Sequence, residues 1–209
     1  MLLENIYKQV HDSWVQKRVK EWYDSDQSEW FDPFVVLSVP NVYLEILFRY
    51  QYCIKGLKDI EILIETGTEE GGTTDIMAKH FDKVYTIEKS FFVSKRQHAF
   101  ETDPANDNVS WLYGDSPKVL ADLRHKIKDE RCVFFLDAHT SNSSCLVQEL
   151  KIIKKYFNNE SVIIVDDAVD IGKVRGYPTS VEFHRLIEAI NPEYTVTFTG
   201  LGRNICLVH

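Results

Sequence analysis

Apolar and polar positions divide the chain into two zones. In residues 1 to about 57, Ile6, Val10, Trp14, Val15 and Val19 recur at helical spacing with charges between them. Residues 24–33, DSDQSEWFDP, break that pattern with turn formers and a proline. A second helix is expected from Pro40 or Asn41, with Val42, Ile46 and Leu47 on one face and Gly56 as its stop. From residue 58 the pattern changes to short β-branched runs alternating with helical stretches. Strands are expected at Ile60–Glu65, Lys83–Glu88, Val109–Tyr113, Cys132–Asp137 and Ser161–Asp166. Most are continuous apolar runs, as strands covered on both faces require. Helices are expected at about 73–80, 90–101, 116–128, 143–157 and 178–190. Two last strands, near Tyr194–Thr199 and Asn204–His209, flank Gly200-Leu201-Gly202 as an antiparallel hairpin. Alternating strands and helices predict an α/β fold with a doubly wound, mostly parallel seven-stranded sheet and right-handed crossovers. Residues 1–57 are expected to be an N-terminal helical cap that belongs to the same domain as the α/β part, residues 58–209.

Composition narrows the function classes. The chain has 209 residues, 44% hydrophobic and 27% charged, with a net charge of −8. That is one globular domain with a full core. The negative balance argues against a general basic surface for nucleic acid, which needs clustered Lys and Arg. The longest apolar run, Cys132 to Leu136, is far short of the roughly 20 residues of a membrane span. The start, Met1-Leu2-Leu3-Glu4-Asn5, lacks the basic and apolar segments of a signal peptide. Cys53, Cys132, Cys145 and Cys206 form no CxxC pair, so buried thiols in a reducing compartment are expected. The expectation is a cytoplasmic protein without a membrane or nucleic-acid partner.

The candidate chemistry lies at strand ends. In a parallel αβ sheet, ligands bind at the carboxyl ends of the strands. There the expected strands place Glu65, Glu88, Asp115, Asp137 and Asp166. One such acid is an ordinary turn or cap residue; five on one edge point to a site. The first motif, Glu65-Thr66-Gly67-Thr68-Glu69-Glu70-Gly71-Gly72-Thr73-Thr74, follows a strand and opens a helix. It has no Lys-Ser or Lys-Thr after its glycines, so it is not a Walker phosphate loop, and its spacing is not GxGxxG. Its acids suit a ligand with an amino group or positive centre better than a pyrophosphate. Glu88 closes Val84-Tyr85-Thr86-Ile87-Glu88 and suits the two hydroxyls of a ribose. In Tyr113-Gly114-Asp115-Ser116, Asp115 either takes an adenine amine or caps the helix opening at Ser116-Pro117. Asp137 and His139, two apart in Leu136-Asp137-Ala138-His139, point the same way on an extended backbone. The adjacent Asp166 and Asp167 repel each other, and a divalent cation on Asp137, Asp166 and Asp167 relieves that repulsion.

These segments together resemble a class I S-adenosylmethionine-dependent methyltransferase of Rossmann-like fold. The likeness is closest to the macrocin-type sugar O-methyltransferases, through ETGTEEGGTT, VYTIE, GDS, FLDAH and VDDA over residues 60 to 168. The resemblance implies a donor site built from Glu65, Thr66, Gly67, Gly71, Thr73, Thr74, Glu88, Lys89, Gly114, Asp115, Ser116 and Asp137. It implies Mg²⁺ or Mn²⁺ on Asp137, Asp166 and Asp167. Where some members carry another Asp, this chain has His139.

The implied reaction is methyl transfer to a hydroxyl of a sugar, glycan or glycosylated small molecule. Asp137 and His139 are the catalytic pair, with His139 taking the proton, and His139, Arg175 and Tyr177 contact the acceptor. His184, among Phe183, Leu186 and Ile187, reads as a structural residue, and Trp30-Phe31-Asp32-Pro33-Phe34 as a cover for donor or acceptor. Two other classes compete. An NAD(P)-dependent oxidoreductase shares the strand, glycine loop and ribose acid but not GxGxxG or a Tyr-x-x-x-Lys pair. A non-catalytic S-adenosylmethionine-binding module needs the donor pocket without acceptor chemistry.

Overall fold

The structure is a computed structural model and describes residues 59–69, 71–90, 107–140, 143–174, 176–198 and 206–208. The expected N-terminal cap, the helix at 90–101, the Trp30–Phe34 segment and Arg175 lie outside these residues. Strand β1 (Ile62–Thr66) leads through the glycine loop to helix α1 (Gly72–Met77) and β2 (Lys83–Glu88). Then come β3 (Val109–Tyr113), α2 (Ser116–Ile127) and β4 (Cys132–Leu136). Two short strands, β5 (His139–Thr140) and β6 (Ser143–Ser144), precede α3 (Leu146–Tyr156) and β7 (Val162–Val165). A 3-10 turn at Ala168–Asp170 leads on to α4 (Ser180–Ile190), β8 (Val196–Phe198) and β9 (Cys206–Val208).

The main sheet has the order β3-β2-β1-β4-β7-β9-β8. The β3-β2-β1-β4-β7 pairs are parallel, and β9 pairs antiparallel with both β7 and β8. The segment joining β8 to β9 lies outside the described residues. A Rossmann-like α/β fold with a mostly parallel sheet is thus as the alternation of strands and helices predicts.

Why the central strands read as apolar runs is plain from their packing. Side chains alternate faces along a strand. Ile64, Phe134 and Ile163 go to one face, where they pack with Leu120 and Leu123 of α2, Leu150 and Ile153 of α3, and Phe183 and Ile187 of α4. Leu63, Phe135 and Ile164 go to the other, with Met77 of α1 and Phe81. Phe134, Phe135, Leu63 and Ile64 are fully buried. Each such side chain contributes roughly 1.5–3 kcal/mol relative to exposure. The two-faced burial leaves the strand ends as the place where polar residues gather.

Among the boundaries that differ from expectation, the start of α3 has a visible cause. Residues 143–145 do not start the helix: Ser143 and Ser144 pair with Thr140 and His139 in a two-residue ladder. The Ser144 hydroxyl accepts the Leu146 N–H at 3.1 Å, so the helix opens there. A serine side chain bonding a nearby amide is a common reason for a helix to begin.

Candidate functional site

The β1 end and the β4 end meet at Gly67. Its φ is +86°, and a Cβ there would lie 2.4 Å from the Asp137 carbonyl oxygen. Only glycine permits both that backbone and that approach. The Asp137 N–H donates to the Thr66 carbonyl at 3.0 Å, and the Gly67 N–H to the Ile87 carbonyl at 2.9 Å. The glycine loop is therefore tied to β2 on one side and to β4 on the other.

Glu65 shares a sheet face with Leu63, the face covered by α1. Its parallel partner on β2 is Thr86, and Thr74 on α1 reaches it from above. Both hydroxyls donate to Glu65 Oε2 at 2.5 Å. Thr86 spends its hydrogen there, so the 2.5 Å contact between the Thr68 and Thr86 hydroxyls has Thr68 as donor. Glu65 is fully buried, and its Oε1 has no hydrogen-bond partner among the described residues. Burial pushes its carboxyl from 4.5 to about 7; the two threonine hydroxyls pull the other way, and the Glu88 charge adds to the rise. The hydrogen of the Thr74 hydroxyl is thus committed to Glu65.

Glu88 closes β2 at the same edge. Its two oxygens accept the backbone N–H groups of Glu69 at 2.9 Å and Ser90 at 2.6 Å. Asp115 stands before α2, where its side chain makes no capping hydrogen bond. Lys89 reaches Asp115 at 3.3 Å across an exposed gap. Of the two readings of Asp115, the cap is the one its side chain does not fulfil. Gly114 donates its N–H to the Glu88 carbonyl at 2.9 Å, and Gly71 to the Thr68 carbonyl at 2.8 Å. Ser116 is buried, and its hydroxyl donates to Glu149 Oε1 at 2.6 Å.

Across from this, His139 lies between two carboxylates. Nδ1 is 3.2 Å from Asp137 Oδ1, and Nε2 is 2.8 Å from Asp167 Oδ2. Asp167 takes φ +48°, a left-handed backbone that Asp tolerates better than most residues. The Tyr177 ring stands edge-on to the imidazole at 5.8 Å. Its phenol is raised above its ordinary range, by burial first and then by the charges of Asp167, Asp170, Asp137 and Asp166. It remains a hydrogen-bond donor throughout the physiological range. Gly176, at φ +92°, lets the loop before Tyr177 press against Ser144, whose N–H a Cβ would meet at 2.5 Å. His139, Tyr177, Ser144, Leu136 and Glu149 line a small recess.

The expected three-acid metal set is not assembled. Among the described residues, no group of three His, Cys, Asp or Glu side chains is gathered so as to hold a metal ion. The imidazole takes up an oxygen of Asp137 and an oxygen of Asp167, which holds the two carboxylates apart. As arranged here, these residues do not fit the metal that the resemblance implies. Asp166 is buried, its N–H donating to the Leu136 carbonyl at 3.1 Å.

His184 lies on α4 with Nδ1 2.8 Å from the Ser180 carbonyl, one turn back on its own helix. A carbonyl only accepts, so that nitrogen carries the proton. Among the described residues Cys132 and Cys145 are free thiols. Burial pushes both to about 12, so neither is a nucleophile at neutral pH.

Sequence reasoning missed Thr86, Thr68 and Glu149. Glu149 is fully buried on the first turns of α3, and burial raises its carboxyl against hydrogen bonds from Ser116, Thr66 and Cys145.

No protein-family model matches the chain, and no curated protein does. Solved structures do. An O-methyltransferase from Bacillus cereus, in complex with SAH, is 18% identical with a TM-score of 0.61 over 91% of this chain and 96% of its own. The O-methyltransferase TomG from Streptomyces achromogenes, involved in tomaymycin synthesis and in complex with SAM, is 14% identical with a TM-score of 0.59 over 91% and 95%. Precorrin-6y C5,15-methyltransferase from Geobacter metallireducens is 12% identical with a TM-score of 0.53 over 82% and 87%. No helix among the described residues is long and apolar enough to cross a membrane. The chain has the Rossmann-like fold of these methyltransferases.

Proposed function

We propose that this chain is an S-adenosylmethionine-dependent O-methyltransferase whose acceptor is a hydroxyl of a sugar, glycan or glycosylated small molecule. One observation carries the reading: Gly67 of the donor loop is pressed onto the Asp137 carbonyl, and two residues further stands an imidazole held by two carboxylates. The acid-bearing strand ends and the structural neighbours support it. So do the sequence elements shared with macrocin-type enzymes, which also favour the sugar acceptor and take β8 and β9 as the hairpin of a seven-stranded sheet. On this reading the protein is cytoplasmic and binds neither nucleic acid nor membrane.

The residues present suit the donor. Glu65 offers a buried oxygen for an ammonium group. Gly67, with no side chain, lets the donor loop lie directly against the β4 end at Asp137. Glu88 retains lone pairs for ribose hydroxyls, and Asp115 for the adenine amine. When bound, S-adenosylmethionine supplies an electrophilic methyl on its sulfonium.

The protein's own contribution is orientation and proton transfer. With Nε2–H donating to Asp167 at 2.8 Å, Nδ1 of a neutral ring keeps its lone pair on the side of the longer, 3.2 Å contact with Asp137. An acceptor hydroxyl that displaces the Asp137 oxygen from Nδ1 gives its proton to that nitrogen as its own oxygen takes the methyl. The C–O bond forms, the C–S bond breaks, and S-adenosylhomocysteine leaves. Asp167 stabilises the imidazolium, and the Tyr177 hydroxyl donates to the acceptor. No step runs through a metal ion.

The test is a transfer screen with methyl-labelled S-adenosylmethionine against nucleotide sugars, free sugars and glycans, with phenols, amines and carboxylic acids as contrasts. Label on a sugar hydroxyl supports the reading. Label on nitrogen, carbon or carboxylate acceptors alone refutes it.

A further inference from the structure

Glu65 lies in a cage that holds only one of its oxygens. Oε2 takes two hydroxyl hydrogens, from Thr74 and Thr86, while Oε1, equally buried, has no partner among the described residues. A buried carboxylate oxygen without a donor is costly, and a ligand donor removes that cost. Two hydroxyls on one oxygen also fix the rotation of the carboxylate, so Oε1 is held in one place. Thr86 is the direct register partner of Glu65 on β2, and its own oxygen is fixed in turn by the Thr68 hydroxyl at 2.5 Å. The chain of donors runs from Thr68 to Thr86 to Glu65. Thr68 belongs to the glycine loop and is itself buried. One proton line thus joins the donor loop, the second strand and the acid of the first.

We infer that Thr86, backed by Thr68, is a positioning residue that aligns Glu65 to receive a primary ammonium group, and so makes the site selective for amino-acid-bearing nucleosides. The inference rests on the reading of this edge as the S-adenosylmethionine site. It adds a selectivity element: a nucleoside thioether without the amino acid does not use the cage.

The experiment titrates the full chain by calorimetry with two probes, S-adenosylhomocysteine, which carries the ammonium, and 5′-methylthioadenosine, which lacks it. Thr86→Val keeps the shape and removes the hydroxyl. It is expected to weaken S-adenosylhomocysteine about tenfold, as loss of a hydrogen bond to a charged group does, and to change 5′-methylthioadenosine less than about twofold. Thr86→Ser is expected to restore the first affinity. Thr68→Val, one step further from Glu65, is expected to shift the same ratio in the same direction by a smaller factor, and serves if Thr86→Val does not fold. Equal weakening of both probes, or none, overturns the inference while leaving the donor reading in place. Failure of the unmodified chain to bind either probe overturns both.

Discussion

Replacing Glu65 by Gln tests the buried acid without filling or emptying space. The carboxyl titrates at about 7 in the folded chain against an ordinary 4.5, with burial as the main cause. A folded value above the unfolded one means that the folded state binds the proton more tightly. Glu65 therefore costs nothing below pH 4.5. Its cost grows as pH rises from there to about 7, then levels off. Each unit is worth about 1.4 kcal/mol, so the cost between pH 5 and pH 8 amounts to roughly 2–3 kcal/mol, the net of burial, the opposing threonine hydroxyls and the Glu88 charge. Gln cannot ionise. Its amide brings its own penalty at the unpartnered Oε1 position, about 1–3 kcal/mol, but that penalty does not depend on pH. The quantity to measure is a difference of differences: urea unfolding of both chains without donor, at pH 5 and pH 8. Relative to the unmodified chain, Glu65→Gln is expected to gain about 2–3 kcal/mol on going from pH 5 to pH 8. Parallel pH profiles would show that Glu65 is not a strained carboxylate, and the reasoning about its environment would fall with them.

Other expectations follow from the same geometry. Gly67→Ala puts a methyl 2.4 Å from the Asp137 carbonyl at a φ of +86°. It should cost at least about 1–3 kcal/mol in thermal or urea unfolding and disturb donor binding; an unchanged Tm contradicts the close approach. His139→Ala should lower turnover about 10²–10⁴-fold at unchanged S-adenosylhomocysteine affinity, and Asp167→Asn should lower it by a smaller factor through loss of imidazolium stabilisation. An unimpaired rate in the first variant removes the base. Since the imidazole stands between Asp137 and Asp167, turnover is expected to survive EDTA; loss on chelation with recovery in Mg²⁺ would mean that the carboxylates regroup around a metal.

The parts legible in the sequence are those where one physical requirement dominates. Cys132–Leu136 and Val162–Val165 are buried on both faces, so each had to be a continuous apolar run. β2 and β3 begin and end where the β-branched runs do. The acids fall at one edge because parallel strands end together. The roles of individual side chains were less legible. Thr86 looks like any β-branched strand residue, and its hydroxyl matters only because the parallel register sets it beside Glu65. Aligning the two strands by their closing motifs would have revealed that pair. Glu149 has no such signal: a glutamate on a helix reads as solvent-facing until α3 packs on the face that carries Thr66. The arrangement of Asp137, Asp166 and Asp167 was misread for a related reason. Adjacent carboxylates suggest a shared cation, yet the left-handed backbone at Asp167 delivers its oxygen to His139 instead.

The central claim is that the edge formed by Glu65, Gly67, Glu88 and Asp115 binds S-adenosylmethionine. Calorimetric titration of the unmodified chain with S-adenosylmethionine, S-adenosylhomocysteine and NAD tests it most directly. The account predicts saturable one-to-one binding of the first two and none of NAD; preference for NAD would contradict it.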